Sequence, residues 1–358
     1  MSVKTTSGAV GMNIGRREVG PGQPPFIVAE LSGNHNRSLD RALELVDAAA
    51  NAGAHGVKLQ TYTADTMTLD IREGDFLISD PDSLWHGRTL YDLYDEAHTP
   101  WEWHKTIFER CRERGVVGFS TPFDATAVDF LEELDVPCYK IASFENTDLP
   151  LIRRVASTGK PVIISTGMAS LEELGETVAA AREAGCTDLL LLKCTSAYPA
   201  SPDAANLRTI PDLRERFNVH VGLSDHTMGL GVSLASVALG ATFIEKHFTL
   251  SRADGGVDSA FSLEPEEMRA LVEESGKAWE ALGKVNYELT EKEKKSISFR
   301  RSLYFVRDLR AGELLAEGDF RAIRPGGGLP PKHFDTVLGK RLKADVTKGT
   351  PISWDVME

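Results

Sequence analysis

Short apolar runs alternate with longer amphipathic stretches along most of the chain. Runs such as Phe26–Leu31 and Gly56–Gln60 are rich in aliphatic residues, as is typical of strands that are buried on both faces. Between these two runs, apolar residues recur at helical spacing from Leu39 to Ala49, and Gly53 ends the predicted helix. The same alternation predicts a series of strands, namely Phe26–Leu31, Gly56–Gln60, Val116–Ser120, Cys138–Ala142, Val162–Thr166, Asp188–Lys193, Val219–Leu223 and Thr242–Glu245.

Strands that alternate with helices in this number fit a (β/α)8 barrel, the TIM-barrel form of an α/β fold. A doubly wound open sheet is the competing architecture. It is disfavoured because no glycine-rich dinucleotide-binding turn follows the first strand. We therefore predict a catalytic barrel domain over residues 26–285, with a closing helix over residues 264–283.

Three further segments complete the predicted domain organisation. Residues 1–25 are an N-terminal extension with a hairpin around Met12–Ile14 and Glu18–Val19. Residues 286–298 are a polar linker, and residues 299–358 are a small β-rich domain with Gly and Pro turns. Inside the barrel domain, Tyr62–His98 is a long irregular insertion, and connections of this length are usually functional loops.

Two predicted helices begin with the signature of a capping box. Thr99 and Glu102 stand at the start of one helix, with Pro100 between them, and Ser170 and Glu173 stand at the start of another. In such a box the hydroxyl accepts a hydrogen bond from the backbone N–H three residues further on. We therefore expect both hydroxyls to act as helix caps.

The composition narrows the functional class. The formal charge of −13 disfavours a nucleic-acid partner, because binding to a phosphate backbone requires clustered Lys and Arg. The N-terminus lacks the apolar core of a signal peptide, and no apolar run approaches the length of a membrane span, so no membrane partner is expected. The cysteines show no CxxC spacing, so we expect reduced thiols in a cytoplasmic protein: Cys111, Cys138, Cys186 and Cys194.

Polar side chains gather where the predicted strands end, which is where TIM barrels carry their chemistry. Lys58 and Lys140, together with Ser and Thr hydroxyls, suit a bound phosphate or carboxylate. The alternative for each lysine is a structural ion pair with an acid such as Glu30 or Glu145. The polar residues predicted at this rim are Glu30, Lys58, Gln60, Thr121, Lys140, Ser143, Glu145, Ser165, Thr166, Ser196, Tyr198, Ser224, His226, Glu245 and His247.

Glu145 lies just past a predicted strand, where a loop can direct its carboxylate at a reacting atom. General acid–base catalysis requires such a group within hydrogen-bond reach of the substrate or of water. The alternative is structural, because an acid at this position can also stabilise the N-terminus of the helix predicted over residues 149–158.

Two histidines follow the last two predicted strands. His226 follows Val219–Leu223 and His247 follows Thr242–Glu245, and neighbouring strands lie about 4.8 Å apart. The pair can therefore share one divalent ion with open positions for water, which suits Mn²⁺, Co²⁺ or Mg²⁺ as a Lewis acid. The alternative is two unrelated histidines at strand ends. Cys194 is the one cysteine placed near them. Packing is its expected role, and a polar role at the strand end is the alternative.

A series of ordered motifs resembles the sialic acid synthase family. The resemblance runs from about Phe26 to the C-terminus. Within the family, LWHGRTLYDLYDEAHTPWEWH and DSAFSLEP look most like the pseudaminic acid synthases. The motifs are FIVAELSGNHN, GVKLQTYTADTMTL, FSTPFD, YKIASFE, ISTGMAS, KCTSAYPA, GLSDHT, EKHFTL and IRPGGGL.

The resemblance implies a fold and a reaction. The fold is a TIM barrel followed by an antifreeze-like (SAF) domain. The reaction is a metal-dependent condensation of phosphoenolpyruvate with an acylated amino-sugar and water, giving a nonulosonic acid and phosphate. For a pseudaminic acid synthase, the sugar is 2,4-diacetamido-2,4,6-trideoxy-L-altrose. N-acetylneuraminate or legionaminate synthases run the same reaction on a different sugar and stay open as alternatives.

The resemblance also assigns roles to individual residues. His226 and His247 become the ligands of a divalent metal, and Arg324 reaches the acyl-amino group of the sugar from the partner subunit, which implies a domain-swapped homodimer. Lys193 and Ser196 stand where sialic acid synthases have histidine and asparagine, so the choice of sugar stays open. The catalytic residues are Glu30, Lys58 and Glu145; phosphoenolpyruvate is held by Lys58, Thr121, Lys140, Ser143, Ser165 and Ser224; and the sugar is held by Gln60, Tyr198, Asp258 and Arg324.

Two other functions remain in competition. A Schiff-base aldolase would use Lys58 or Lys140 as its nucleophile on the same barrel. A non-catalytic carbohydrate- or ice-binding protein would use the C-terminal domain. The second reading leaves the convergent polar groups at the strand ends without a purpose.

Overall fold

The computed structural model of the chain describes residues 11–358. Residues 1–10 of the predicted N-terminal extension lie outside the described residues. The chain divides into two compact units, Met1–Gly283 and Lys284–Glu358. Each unit has a hydrophobic core of its own, as separate domains do.

The first unit opens with a hairpin of β1 (Met12–Ile14) and β2 (Arg17–Val19), and a closed barrel of parallel strands follows it. Each barrel strand pairs with the next along the chain, and the last pairs with the first, so the predicted TIM barrel is confirmed. The barrel strands are β3 (Phe26–Glu30), β4 (Gly56–Thr61), β5 (Val117–Pro122), β6 (Tyr139–Ile141), β7 (Val162–Ser165), β8 (Leu189–Cys194), β9 (His220–Ser224) and β10 (Phe243–His247).

Helices connect the strands and pack on the outside of the barrel. The Tyr62–His98 insertion contains two of them, α2 (Ala64–Met67) and α3 (Leu90–Ala97), which are separated by an irregular loop. Within residues 11–358, no helix combines the length and the hydropathy needed to cross a membrane. The helices of the first unit are α1 (Leu39–Asn51), α2 (Ala64–Met67), α3 (Leu90–Ala97), α4 (Trp101–Arg114), α5 (Ala125–Glu133), α6 (Leu149–Ala156), α7 (Leu171–Glu183), α8 (Thr209–Phe217), α9 (Gly231–Ala238) and α10 (Pro265–Leu282).

The hairpin closes the amino-terminal end of the barrel. Met12, Ile14 and Val19 are almost completely buried, and they pack with Phe26 and Phe243, the first residues of β3 and β10. Both ends of a barrel would otherwise admit water to its interior. Because apolar side chains fill this end, a ligand can enter only from the carboxyl ends of the strands.

Side chains along each strand point alternately into the barrel and outward to the helices. The side chains that point inward along the amino-terminal parts of the strands are apolar. The residues between them point outward, and those such as Ile27, Val57 and Leu191 pack with the helices. Because the period is two, the inward positions further along each strand can be read from the sequence. The inward apolar residues are Phe26, Val28, Phe119, Cys138, Ile163, Leu190, Leu192 and Phe243.

One of the two predicted capping boxes is present. The Ser170 hydroxyl accepts from Glu173 N at 3.2 Å, and Glu173 accepts from Ser170 N at 2.7 Å. The prediction for Thr99 is wrong, because no side chain caps α4 and Pro100 precedes its first residue. Thr99 is buried, and its hydroxyl pairs instead with His35 Nε2 at 3.2 Å. The burial of that hydroxyl outweighed its capping propensity.

The second unit is built around an antiparallel pair, β11 (Ser302–Phe305) and β12 (Phe320–Ile323). Its core contains Leu303, Phe305 and Phe320. The second unit also contains a short helix, α12 (Phe334–Val337). The segment predicted as a linker contains another helix, α11 (Glu291–Ser296), which begins with a capping box at Thr290.

Candidate active site

One polar or sulfur-bearing side chain from every barrel strand points inward at the carboxyl end of the barrel. Each follows the inward apolar or glycine position of its strand by two residues, and all are buried. Buried groups of this kind must be paired with each other or with a ligand. This inner ring consists of Glu30 (β3), Lys58 (β4), Thr121 (β5), Lys140 (β6), Ser165 (β7), Cys194 (β8), Ser224 (β9) and Glu245 (β10).

Lys58 is paired with two acids. Its Nζ contacts the Glu30 carboxylate directly, lies 3.6 Å from Glu245 Oε1 and donates to Thr121 Oγ1 at 3.1 Å. Burial opposes the positive charge, but Glu245 and Glu30 outweigh it and raise the pKa of Lys58 above its ordinary value. Lys58 therefore stays protonated, and the ion pair that was the structural alternative is present.

Lys140 is equally buried, but its contacts differ. Its Nζ donates to Ser165 Oγ at 2.7 Å and to Ile141 O at 3.1 Å, and within residues 11–358 it forms no salt bridge. Burial lowers the pKa of Lys140. An ammonium group has three N–H donors, so one donor is left for a ligand. A buried cation without a counter-ion is what an anion site requires.

A tight turn after β7 brings hydroxyl groups next to Lys140. Ser143 Oγ accepts from Gly167 N at 3.1 Å, and Asn146 Nδ2 donates to the carbonyls of Ser165 and Gly167 at 3.2 and 2.9 Å. A Cβ at position 167 would lie 2.6 Å from Ser143 Oγ and would also collide with Ser196 Oγ. Glycine is therefore required for this close approach. The turn holds the hydroxyls of Ser143 and Ser196 beside the Lys140 partner Ser165.

Glu145 lies in a single 3-10 turn, Ser143–Glu145, directly after β6. Its Oε2 is buried without a hydrogen-bond partner among the described residues. Burial raises the pKa of Glu145 to about 7. The helix-capping role belongs to Asp148, which accepts from Leu151 N at 3.1 Å. Glu145 is thus a carboxyl group that changes its charge near neutral pH, as general acid–base catalysis requires.

His226, two residues after β9, and His247, the last residue of β10, lie side by side with ring centroids 5.4 Å apart. His226 Nδ1 lies 3.0 Å from Thr195 O, and in the tautomer that donates to this carbonyl Nε2 is available to a ligand. Burial opposes the charged form of His226, but contacts with Cys194 and Thr195 raise its pKa. His247 Nδ1 is buried without a partner in the described chain, and Asp258 Oδ2, at 3.7 Å, lies beyond hydrogen-bond range. Burial holds the pKa of His247 well below its ordinary value, so its ring is neutral.

The histidine pair fits a divalent ion with open coordination positions. A nitrogen-bound ring has its centroid about 3 Å from the ion, so two rings on one ion lie roughly 5 Å apart. Glu245 Oε2 is a second buried atom of this region without a partner among the described residues. Across residues 11–358, no group of three or more His, Cys, Asp or Glu side chains forms a complete metal site. Water or substrate oxygens would therefore complete the coordination.

The predicted sugar ligands of the first unit adjoin this ring. Gln60 Nε2 donates to Glu30 Oε1 at 3.1 Å, and the Tyr198 ring lies 4.4 Å from the His226 ring. Asp258 accepts a hydrogen bond from the Ser32 hydroxyl. Ser32 adopts a φ of 47°, which is uncommon for a residue with a Cβ, and its backbone N–H donates to Glu30 Oε1 at 3.1 Å. Ser32 thus fixes Glu30 and Asp258 together.

Comparisons with known proteins identify the family. The NeuB family model matches residues 45–287, and the SAF domain model matches residues 300–356. A pseudaminic acid synthase of Campylobacter jejuni is 45% identical over 90% of this chain and 94% of its own length. The chain belongs to the NeuB family. An N,N'-diacetyllegionaminic acid synthase of Legionella pneumophila is 36% identical over 93% of this chain and 94% of its own length.

A solved structure agrees with this assignment. The N-acetylneuraminic acid synthetase of Leptospira borgpetersenii superimposes on the NeuB-family chain with a TM-score of 0.71 at 31% identity. The match covers 80% of this chain and 95% of that one. The sequence resemblance to the sialic acid synthases, and the SAF domain it implied, are therefore confirmed.

Arg324 is the one predicted site residue of this NeuB-family chain that belongs to the second unit. It follows β12 directly, and its side chain is exposed. Its contact with the sugar, and the homodimer that this contact implies, stay predictions.

Lys193 and Lys246, to which the sequence assigned no site role, point away from the barrel interior. Lys246 Nζ donates to Asp225 Oδ2 at 3.1 Å and to the carbonyls of Thr227 and Gly229 at 2.6 and 3.1 Å. It therefore ties the loop after β9 to the strand that carries His247. Lys193 donates to Cys194 O at 2.8 Å, next to the Thr195 carbonyl that orients His226.

The orientation of these lysines could have been found from strand parity. Each stands one position away from an inward residue of its strand, Cys194 or Glu245. The resemblance places Lys193 at a position where the sialic acid synthases are expected to have histidine, and this stays a prediction. In this NeuB-family chain the Lys193 side chain contacts the backbone beside the residue that orients His226.

Proposed function

We propose that this chain is a pseudaminic acid synthase. It condenses phosphoenolpyruvate with 2,4-diacetamido-2,4,6-trideoxy-L-altrose and water, and it releases the nonulosonic acid and phosphate. The observation that carries the proposal is the juxtaposition, at one barrel end, of a buried lysine without a salt bridge in the described part of the chain and a histidine pair that includes an unpartnered ring nitrogen. The higher identity to a pseudaminic than to a legionaminic acid synthase supports the choice of sugar.

The residues of the site divide the reaction between them. Lys140, with Ser143, Ser165 and Ser224, binds the phosphate and carboxylate of phosphoenolpyruvate, and Lys58 and Thr121 stabilise the charge that develops on them. C3 of phosphoenolpyruvate attacks the aldehyde carbon of the open-chain sugar, and water adds to C2. The tetrahedral intermediate then loses phosphate by cleavage of its C–O bond. His226 and His247 would hold a divalent ion, Mn²⁺, Co²⁺ or Mg²⁺, which supplies Lewis-acid polarisation of the aldehyde.

Two carboxylates support these steps. Glu145 accepts a proton from the attacking water or from a sugar hydroxyl, because its pKa of about 7 lets it change its charge under working conditions. Glu30 holds Lys58 and Gln60 in place through direct contacts. Gln60, Tyr198 and Asp258 orient the sugar, and Arg324 contributes from the partner chain of a domain-swapped homodimer.

The proposal is tested by product analysis. Purified protein is incubated with phosphoenolpyruvate, Mn²⁺ and each of three amino-sugars, the precursors of pseudaminic, legionaminic and N-acetylneuraminic acid. Phosphate release is measured, and each product is characterised by mass spectrometry and NMR. We expect the L-altro sugar to give the highest kcat/KM. Faster turnover of another sugar would reassign the substrate, and no phosphate release with any sugar would reject the synthase.

A Schiff-base aldolase is the second candidate, because burial lowers the pKa of Lys140 and so favours a nucleophilic amine. Lys58 is less suited to this role, since its neighbouring acids keep it protonated. Borohydride reduction in the presence of pyruvate traps a covalent adduct of an aldolase. We expect no mass increase on the protein after this treatment.

Replacing Glu145 with glutamine is expected to lower turnover and to raise stability at alkaline pH. The ordinary pKa of a glutamate is 4.5, and burial raises that of Glu145 to about 7. The stability of the wild type that is present below pH 4.5 is therefore lost as the pH rises to about 7. Glutamine carries no charge, so at pH 8 the variant should gain on the order of 2 kcal/mol, seen as a Tm a few degrees higher.

The same variant tests the catalytic role. We expect kcat to fall roughly 100-fold or more, and the rise in wild-type activity through pH 7 to disappear. Glu133→Gln, at an exposed acid on α5, is the control and should change neither quantity. An equal difference in Tm at pH 5 and pH 8 would contradict the assigned titration.

A further inference from the structure

The loop between α2 and α3 has a compact structure of its own. Ile78 N donates to Arg88 O at 2.9 Å, and Gly87 N donates back to Ile78 O at 2.8 Å. An isolated β-bridge joins Leu77 to Thr89 at the base of the loop. Backbone hydrogen bonds therefore hold the two ends of this loop together. The loop consists of residues 77–89 and is named the cap loop.

Trp85 is the side chain of the cap loop that reaches the barrel. Its indole Nε1 donates to Val257 O at 3.0 Å, across 172 positions of sequence, and its ring lies 5.9 Å from the Tyr198 ring. The flanking Leu84 and His86 are exposed, and half of the Leu84 surface remains accessible. A tryptophan that is half-buried while its apolar neighbour stays in solvent is placed by specific contacts.

Trp85 extends an apolar surface that begins at the histidine pair. The Tyr198 ring lies 4.4 Å from His226 and 5.3 Å from Phe261, and Phe261 lies 4.9 Å from His247. Trp85 is thus one ring further out than Tyr198. Its anchor, Val257, directly precedes Asp258, a predicted sugar ligand. The outermost ring is held by its N–H group, which leaves its apolar face available to a ligand.

The dimensions of the proposed substrate match this arrangement. An open-chain hexose spans roughly 6 Å from C1 to C6, given C–C bonds of about 1.5 Å. The ring centroids of His226, Tyr198 and Trp85 follow one another at 4.4 and 5.9 Å. With its aldehyde at the histidine pair, the extended sugar therefore passes Tyr198 and brings C6 to roughly 4 Å from the Trp85 ring, which is contact distance. In the proposed sugar C6 is a methyl group. Apolar walls favour a methyl group over a hydroxymethyl group, because the hydroxyl would lose its hydrogen bonds to water.

We propose that Trp85 is a specificity-determining residue that contacts the C6 methyl group of the sugar and selects 6-deoxy substrates. The inference rests on the proposed function. The hydrogen bond to Val257 O holds the indole ring beside Tyr198 and sets the angle of the ring. The selection acts on the sugar alone, so the binding of phosphoenolpyruvate is independent of Trp85.

The test compares two sugars on matched variants. The sugars are the 2,4-diacetamido-2,4,6-trideoxy hexose and the same sugar with a hydroxyl at C6. Trp85→Phe keeps an apolar ring but loses the N–H donor, and Trp85→Gln keeps an N–H donor but loses the apolar face. Leu84→Ala is the control in the same loop. The readout is the ratio of kcat/KM for the two sugars, measured with the KM for phosphoenolpyruvate.

We expect the wild type to prefer the 6-deoxy sugar by about 10- to 100-fold. Trp85→Phe and Leu84→Ala should retain most of this ratio, whereas Trp85→Gln should bring it close to one. The KM for phosphoenolpyruvate should stay unchanged in all variants. A purely structural role would lower kcat/KM for both sugars equally, and an unchanged ratio in Trp85→Gln overturns the proposal.

The outcome also separates this inference from the function on which it rests. One outcome is that the wild type condenses phosphoenolpyruvate with the 6-deoxy sugar while Trp85→Gln leaves the ratio of kcat/KM for the two sugars unchanged. In that case only the role of Trp85 is wrong. If the wild type condenses no amino-sugar at all, the synthase function is wrong, and the assignment of Trp85 falls with it. Far-UV circular dichroism of each variant confirms that a lost ratio reflects a folded protein.

Discussion

Replacing His226 or His247 with alanine is expected to abolish metal-dependent turnover, with a fall in kcat/KM of roughly 1000-fold or more. At the proposed metal site, the protein ligands are the imidazoles of His226 and His247. The described residues contain no group of three or more His, Cys, Asp or Glu side chains that could hold a metal ion. Removing either histidine therefore removes half of the protein ligands. Phosphate release is measured after treatment with EDTA and again after Mn²⁺ is restored. Wild-type activity should return with the metal, and the activity of the two variants should not.

A matched control lies on the strand that precedes His226. His220 stands half-buried at the amino-terminal end of β9, whereas His226 follows the carboxyl end of that strand. His220→Ala should therefore keep both activity and the calorimetric signal of Mn²⁺ binding, whereas His226→Ala and His247→Ala should lose that signal. Full activity of metal-free wild type, or unchanged Mn²⁺ binding by either alanine variant, would refute the assignment.

The fold could be predicted from the sequence because its signals are local. Aliphatic runs of strand length alternate with stretches of helical period, and each run was located within a few residues of a barrel strand. The capping prediction at Thr99 failed for a non-local reason. Its hydroxyl is buried against His35, a residue more than sixty positions earlier in the chain, and no local pattern contains that contact.

The composition of the site could also be predicted in large part. Alternation along each strand directs Glu30, Lys58 and Lys140 into the same space as the residues two positions earlier, and the TIM barrel brings all strand ends together. The same rule shows that Lys193 and Lys246 point outward. What the sequence could not distinguish was which inward lysine has a counter-ion, because pairing depends on distances across the barrel.

Contacts between distant loops were beyond sequence reasoning. Ser32 bonds to Asp258 and Trp85 bonds to Val257, so loops that are far apart in the sequence meet in space. Neither Ser nor Trp carries a motif for such a role. Closure of the barrel places β10 beside β3, which pairs with β4, so the loops after β3 and β4 meet the loop after β10.

Exchanging Lys140 and Lys58 for methionine, one at a time, is expected to separate substrate binding from folding. Both lysines are almost completely buried, and methionine keeps the length of the side chain without the charge. Lys140 has only a hydroxyl and a carbonyl as hydrogen-bond partners, so its loss breaks no salt bridge among the described residues. Lys58 balances Glu30 and Glu245, so its loss leaves buried acids without a counter-charge.

The two variants should therefore differ in stability. Lys140→Met is expected to change the Tm of the ligand-free protein little, because it breaks no salt bridge within residues 11–358 and removes the desolvation cost of one buried charge. Lys58→Met is expected to lose about 3 kcal/mol or more of unfolding free energy. The double variant Lys58→Met/Glu245→Gln should regain part of that loss, since one of the stranded carboxylates is then neutral. Thermal melts without ligand measure all three.

Both lysine variants should nevertheless lose catalysis. We expect Lys140→Met to lower kcat/KM for phosphoenolpyruvate by roughly 1000-fold and to lose the rise in Tm that phosphoenolpyruvate gives the wild type. Its affinity for the sugar should change little, because we assign Lys140 to the proposed phosphoenolpyruvate site and not to the sugar site. A Lys140→Met protein that is still stabilised by phosphoenolpyruvate, or one that is strongly destabilised without it, would show that Lys140 serves the fold. The anion site would then have to be assigned to Lys58, although Lys58 already forms ion pairs with Glu30 and Glu245.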